Sequence, residues 1–184
     1  MKIRKSFTLI EILDVVALIA ILSALGYAGY SYAQHSSKES ATKALIARVE
    51  AALETAKSKS GFIPKSSSFN YIAVTNTSVT IGGITYSDTA SGNNKYQAEF
   101  AKAFIKAIDM STMNRFLNSN GHIADAWGND LQLRYPGKLK KGGIDIVAPG
   151  PDGLLACDGA SAIDEAGKFR DEEGDWICDD VANF

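Results

Sequence analysis

Histidine, cysteine and proline are scarce in this chain of 184 residues, which has two His, two Cys and four Pro. His35 and His122 are isolated in sequence, so neither a zinc motif nor a catalytic triad order forms around them, and both read as surface or cap residues. Cys157 and Cys178 belong to no C-x-x-C pair and have no histidine after them, which removes zinc a second time. In an oxidising compartment they would close a loop of about twenty residues and contribute ~3 kcal/mol of stability; the other reading is two free thiols. There is no P-loop, no G-x-S-x-G, no dinucleotide fingerprint, no internal repeat and no nucleic-acid-reading motif. Nothing in the sequence points to an enzyme, and no nucleic-acid partner is expected.

Charge of one sign is missing from both ends. Met1 to Ser6 carry Lys2, Arg4 and Lys5 and no acid, a cluster that holds an N-terminus in the cytoplasm. From Ile144 to Phe184 there are 11 acids against Lys168 and Arg170, a balance of −9 that leaves +7 for residues 1–143 of a chain whose net charge is −2. Such a tail suits a divalent cation or a basic neighbouring subunit. With 46% hydrophobic and 22% charged residues, wholesale disorder is excluded, and the length allows one modest domain plus an anchor.

What is present in abundance is one apolar run, Phe7 to Ala33, interrupted only by Glu11, Asp14 and a few small hydroxyl residues. About twenty apolar residues at ~1.5 Å each cross a hydrocarbon core of ~30 Å. The run is too long for a secretory h-region, and no A-x-A-like site follows it. Helical spacing continues beyond it through Ala41, Leu45, Val49, Leu53 and Ala56, with Lys43, Arg48, Glu50 and Glu54 between them. No Pro or Gly lies between Tyr30 and Ser60, so the spacing predicts one helix from about Phe7 to about Ser58, ended by Gly61 and Pro64.

Residues 65–97 read as an irregular connection with two β-like runs, Tyr71–Thr75 and Val79–Tyr86, forming a small hairpin. Phe100, Phe104, Ile108 and Met113 mark a second amphipathic helix over Ala98 to Leu117. Leu131–Tyr135 and Ile144–Ala148 read as an antiparallel hairpin, and periodicity stops beyond Pro149.

The segment KSFTLIE, Lys5 to Glu11, with a basic leader before it and an apolar helix after it, resembles the N-terminal signature of type IV prepilins and type II secretion pseudopilins. The resemblance implies cleavage by a prepilin peptidase between Ser6 and Phe7, N-methylation of Phe7, and a role for Glu11 in filament assembly through the Phe7 amino group of an adjacent subunit. Ser6 stands where the family normally has Gly. An ionised Glu11 in lipid would cost at least ~2.5 kcal/mol without a partner; the alternative is a carboxylate at the headgroup boundary. Asp14 lies outside the family pattern and receives no role.

A second stretch, DAWGNDLQLRYPG (Asp125 to Gly137) followed by IDIVAPGPDG (Ile144 to Gly153), resembles the C-terminal half of major pseudopilins, with Ala126 in place of the usual Pro and without the Gly-Gly pair expected after the D-G. There a loop binds calcium, which implies Asp152 and Asp164 with a backbone carbonyl near Pro149 as ligands. Asp158, Asp171, Asp175, Asp179 and Asp180 add oxygen donors to the same stretch, although no EF-hand pattern is present. The alternative is a solvated acidic loop held by a Cys157–Cys178 disulfide, a feature more like true type IV pilins. Trp127 and Trp176 read as core or loop packing.

These readings combine into an α+β, pilin-like ladle. It has a leader (1–6), a transmembrane helix half (7–33) and a periplasmic or extracellular head (34–184) with a small antiparallel sheet and an irregular acidic loop (149–184). The expected function is that of a structural subunit of a type II secretion pseudopilus. It would be held single-pass in the inner membrane and partnered by lipid, copies of itself, other pilins or pseudopilins, the prepilin peptidase and an inner-membrane assembly platform. The alternatives are a surface type IV pilus subunit for adhesion, motility or DNA uptake and, from a different class, a periplasmic binding or enzymatic domain on an uncleaved signal anchor.

Overall fold

One uninterrupted helix, α1 (Leu9–Ser60), opens the computed structural model, which describes residues 9–89, 94–155 and 180–183. It stops close to the expected place. Gly61 takes φ +66°, a conformation costly for any residue with a Cβ, and its N–H donates to the Lys57 carbonyl at 2.8 Å. The Ser60 hydroxyl donates to the Ala56 carbonyl at 2.8 Å and accepts from the Phe62 N–H at 3.1 Å, so the last turn is satisfied locally.

The chain divides into two compact units, residues 1–37 and 38–184. In the first, every large apolar side chain from Leu9 to Tyr32 is exposed, and this stretch is long and apolar enough to cross a membrane. In the second, the helix becomes one-sided. Leu45, Ile46, Val49, Ala52, Leu53 and Ala56 are buried while Lys43, Glu54 and Lys59 face outward.

The rest of the second unit is a six-stranded antiparallel sheet in the order β3-β2-β1-β4-β5-β6, completing the expected α+β class. The strands are β1 (Ser66–Val74), β2 (Ser78–Ile81), β3 (Ile84–Ser87), β4 (Gln132–Tyr135), β5 (Asp145–Ala148) and β6 (Val181–Ala182). The 65–97 connection is more regular than its composition suggests. β1 reaches back to Ser66 because Ser66 and Asn70 pair with Tyr135 and Leu133 of β4 on either side of a register irregularity, an option invisible to a local reading of a Ser-rich segment. The run Val79–Tyr86 is two strands, folded back on itself at Gly82 and Gly83, whose φ values of +62° and +76° are those of a tight primed hairpin turn.

Helix α2 (Lys95–Ile108) follows, and the second expected helix is broken at its end. Asp109 adopts φ +55°, and its carboxylate accepts from the Ser111 N–H and hydroxyl to start a separate turn, α3 (Met110–Met113). Phe100, Phe104, Ile108 and Met113 are nevertheless all fully buried. They share one core with the buried face of α1 and with Ile72, Ile81, Leu133 and Ile146 of the sheet.

Candidate functional site

Of the residues singled out in the sequence, Ser6, Phe7, Cys157, Asp158, Asp164, Asp171, Asp175, Trp176, Cys178 and Asp179 lie outside the described residues. Glu11 and Asp14 are the only charged residues among Leu9 to Ala33, each surrounded in sequence by exposed Ile, Leu and Val side chains. An ionisable group in a segment of this length and polarity is a functional candidate in itself, because lipid penalises it and packing does not require it.

Asp152 and Pro149 are both described, but protein groups hold the turn that contains them. Asp125 accepts from Trp127 N–H and Asn129 N–H at 2.9 Å through Oδ1, and from Gly150 N–H at 3.1 Å through Oδ2. Asn129 donates from Nδ2 to the Gly150 carbonyl at 2.5 Å. A Cβ added at Gly153 would sit 3.1 Å from Asn129 Oδ1, so the D-G step packs against this same side chain. The DAWGN segment is thus a clamp on the 149–153 turn, a role that its resemblance alone did not convey. Burial pushes the Asp125 carboxyl above the usual carboxylate range, against the opposing pull of the Asn129, Trp127, Gly150 and Gly128 amides.

Ala126 contributes a donor that proline could not. Its N–H reaches the Oγ1 of Thr42, a fully buried hydroxyl on α1, at 3.2 Å. The departure from the usual Pro is therefore matched by a partner on the helix.

The fit of this region to calcium is partial. Asp152 is exposed and its Oδ1 accepts from Leu154 N–H at 2.8 Å. Among the described residues no group of three His, Cys, Asp or Glu side chains comes together.

The chain matches no family model, no curated protein and no solved structure.

Two further polar clusters escaped the sequence reading. Arg134 and Asp145 face each other across β4 and β5, both almost wholly buried, with guanidinium nitrogens donating to Asp145 Oδ2 at 2.6 and 3.0 Å. The same carboxylate accepts from the backbone N–H groups of Lys138, Leu139 and Lys140 at 2.8 to 3.1 Å, fixing the turn between the strands. Burial would raise its pKa, but these amides and Arg134 outweigh it and hold the carboxyl below its ordinary value. The guanidinium also lies 4.5 Å from the Phe69 ring centre. A signal did exist, since an Arg and an Asp interrupt the two apolar runs at positions that the hairpin places opposite one another.

His122 is half-buried and more constrained than a cap residue. Its Nδ1 is 2.8 Å from Asp130 Oδ2, its ring stacks on Tyr71 at 4.0 Å between centroids, and Asn118 donates to the other Asp130 oxygen at 2.5 Å. The cluster links the 117–130 segment to β1.

Proposed function

We propose that this chain is a structural subunit of a membrane-anchored filament of the type IV pilin and pseudopilin kind, with no catalytic activity of its own. The observation that carries the reading is α1. Its first stretch exposes apolar side chains all round and holds two carboxylates, and its later stretch turns a single apolar stripe into the core of an antiparallel head. A soluble domain gains nothing from the first stretch. A filament does, because helices leaving lipid can bury one another in a common core. The KSFTLIE signature supports the same reading, with Phe7 as the mature, methylated N-terminus and Glu11 as its partner across subunits.

Within that class we favour a type II secretion pseudopilus at the inner membrane, on the likeness of the 125–153 region to major pseudopilins. The runner-up is a surface type IV pilus, favoured by the two cysteines. A flanking retraction ATPase in the genome would decide for the pilus. A secretin and secretion ATPase without one would decide for export.

The test is maturation and assembly in the native membrane. Intact mass should show loss of Met1 to Ser6 and one added methyl on Phe7. Glu11→Ala should insert normally, since the helix becomes more apolar, and fail to enter sedimentable filaments. Normal filaments from Glu11→Ala would refute the role of Glu11, and full-length chain alone would refute maturation.

A further inference from the structure

We infer that Asp14 is a second inter-subunit contact, acting beside Glu11 to hold the N-terminal turn of a neighbouring copy of this chain; this deepens the filament reading above and rests on it. The charges of the apolar segment do not balance without such a role. Between Phe7 and Ala33 stand Glu11 and Asp14 and no Lys, Arg or His. Once Met1 to Ser6 are removed, each subunit therefore brings two carboxylates into this segment against one cation, the Phe7 amine. Glu11 accounts for the amine. An ionised Asp14 left in lipid without a partner would cost at least ~2.5 kcal/mol.

The chain cannot partner Asp14 by itself. The residue is exposed on α1 and has no hydrogen bond or ion pair among the described residues. It follows Phe7 by seven residues, which span ~10 Å when helical and put the chain's own amine beyond the reach of an aspartate side chain. So short a side chain also cannot snorkel to the headgroups as Lys and Arg do. The partner must come from another helix.

Maturation creates the donors that Asp14 lacks. In a continuous helix the N–H groups of Leu9 and Ile10 would donate to the carbonyls four residues earlier, those of Lys5 and Ser6. Cleavage between Ser6 and Phe7 takes both acceptors away. The new terminus is left with orphan donors and about half a unit of positive charge from the helix dipole, in addition to the amine. The two sets match in spacing. Glu11 and Asp14 are three residues apart on one face of α1, ~4.5 Å along its axis, and Phe7 and Ile10 are three residues apart as well. In parallel helices, setting Glu11 against a neighbour's Phe7 amine therefore sets Asp14 level with that neighbour's Ile10 N–H. The carboxylates of one copy meet the terminus of the next, a heterologous contact of the kind that propagates into an open helical array.

The experiment uses the full chain in its native membrane. Asp14→Ala makes the helix more apolar, so insertion and the mass of the mature chain should be unchanged, while sedimentable filaments should fall by ~tenfold or more. Asp14→Glu, which keeps the carboxylate, should restore them. The register is read by disulfide trapping between two differently tagged minority copies in filaments of the unaltered chain. Asp14→Cys in one copy should cross-link to Ile10→Cys in the other and not to Ile21→Cys, which lies ~16 Å further along the helix. Copies without an engineered thiol give the background from Cys157 and Cys178. Filaments at the unaltered level from Asp14→Ala, or equal trapping at Ile10→Cys and Ile21→Cys, would overturn the inference and leave the filament reading standing. Lost filaments with no trapping at Ile10→Cys would assign Asp14 to a cation on a different membrane protein and overturn the contact between copies. If the unaltered chain never sediments as filaments, the filament reading falls and takes this contact with it.

Discussion

Replacing Asp145 by alanine perturbs the head at its most concentrated polar point. The change strips Arg134 of its carboxylate in a site where neither side chain is more than 1% exposed, and leaves the amides of Lys138, Leu139 and Lys140 without their acceptor. Removing one member of a buried ion pair costs about 3–5 kcal/mol. With a urea slope of ~2 kcal/mol/M, the unfolding midpoint should fall by roughly 2 M. A head fragment beginning at Gln34 is suitable, because every residue of the core from Leu45 onward is retained. The informative comparison is Arg134→Met with Asp145→Ala. Removing both charges should recover part of the loss, leaving about 1–3 kcal/mol for the three amides, which the pair alone does not explain. The pH dependence has a fixed sign. A carboxyl held below its ordinary value stabilises the fold above its unfolded pKa of ~3.9, and that contribution disappears as pH falls through the lower folded value. A single-mutant cost under ~1 kcal/mol, or full recovery in the double mutant, would refute this account of the turn.

Three further outcomes follow from the same geometry. Asp125 has the opposite sign: its raised pKa means that stability falls as pH rises above ~4 towards the folded value, so Asp125→Asn should flatten the pH profile of urea midpoints there, and an unchanged slope would contradict it. Ala126→Pro should cost ~1 kcal/mol by deleting the donor to Thr42, and once Thr42→Val is present it should cost almost nothing more; additive losses in chemical denaturation would rule the bond out. For the acidic loop, calcium should raise the melting temperature of the oxidised head with a dependence of RT ln(1 + [L]/Kd), and Asp152→Ala should abolish the increment; if calcium has no effect and reduction alone lowers melting, the disulfide is the brace.

The sequence announced the parts of this fold that repeat with a fixed period. The α1 stripe, the aromatic face of α2 and the β4–β5 hairpin all lie where their spacing placed them, because each is set by contacts a few residues apart. What it hid depends on partners far along the chain. β1 reaches back to Ser66 only beside β4, and Asn183 ends the sheet by exchanging side-chain hydrogen bonds with Ile144 and Ile146. Arg134 and Asp145 read as polar interruptions until the hairpin sets them face to face. For the site, Glu11 was legible because a carboxylate stands out in an apolar run, whereas the clamp formed by Asp125 and Asn129 needs the fold to bring Gly150 to it.

The pairing of β1 with β4 means that everything between Val74 and Gln132 is an excursion that departs from one strand and returns to its neighbour. The frame of α1, β1, β4 and β5 is completed by segments on either side of it. Lengthening such an excursion is cheap, since each doubling of a flexible loop adds only ~0.6 kcal/mol of closure entropy. Asn76 and Thr77 sit exposed at the tip of the β1–β2 turn, so this position can carry a grafted epitope or vary its surface chemistry while the register of the frame stays fixed.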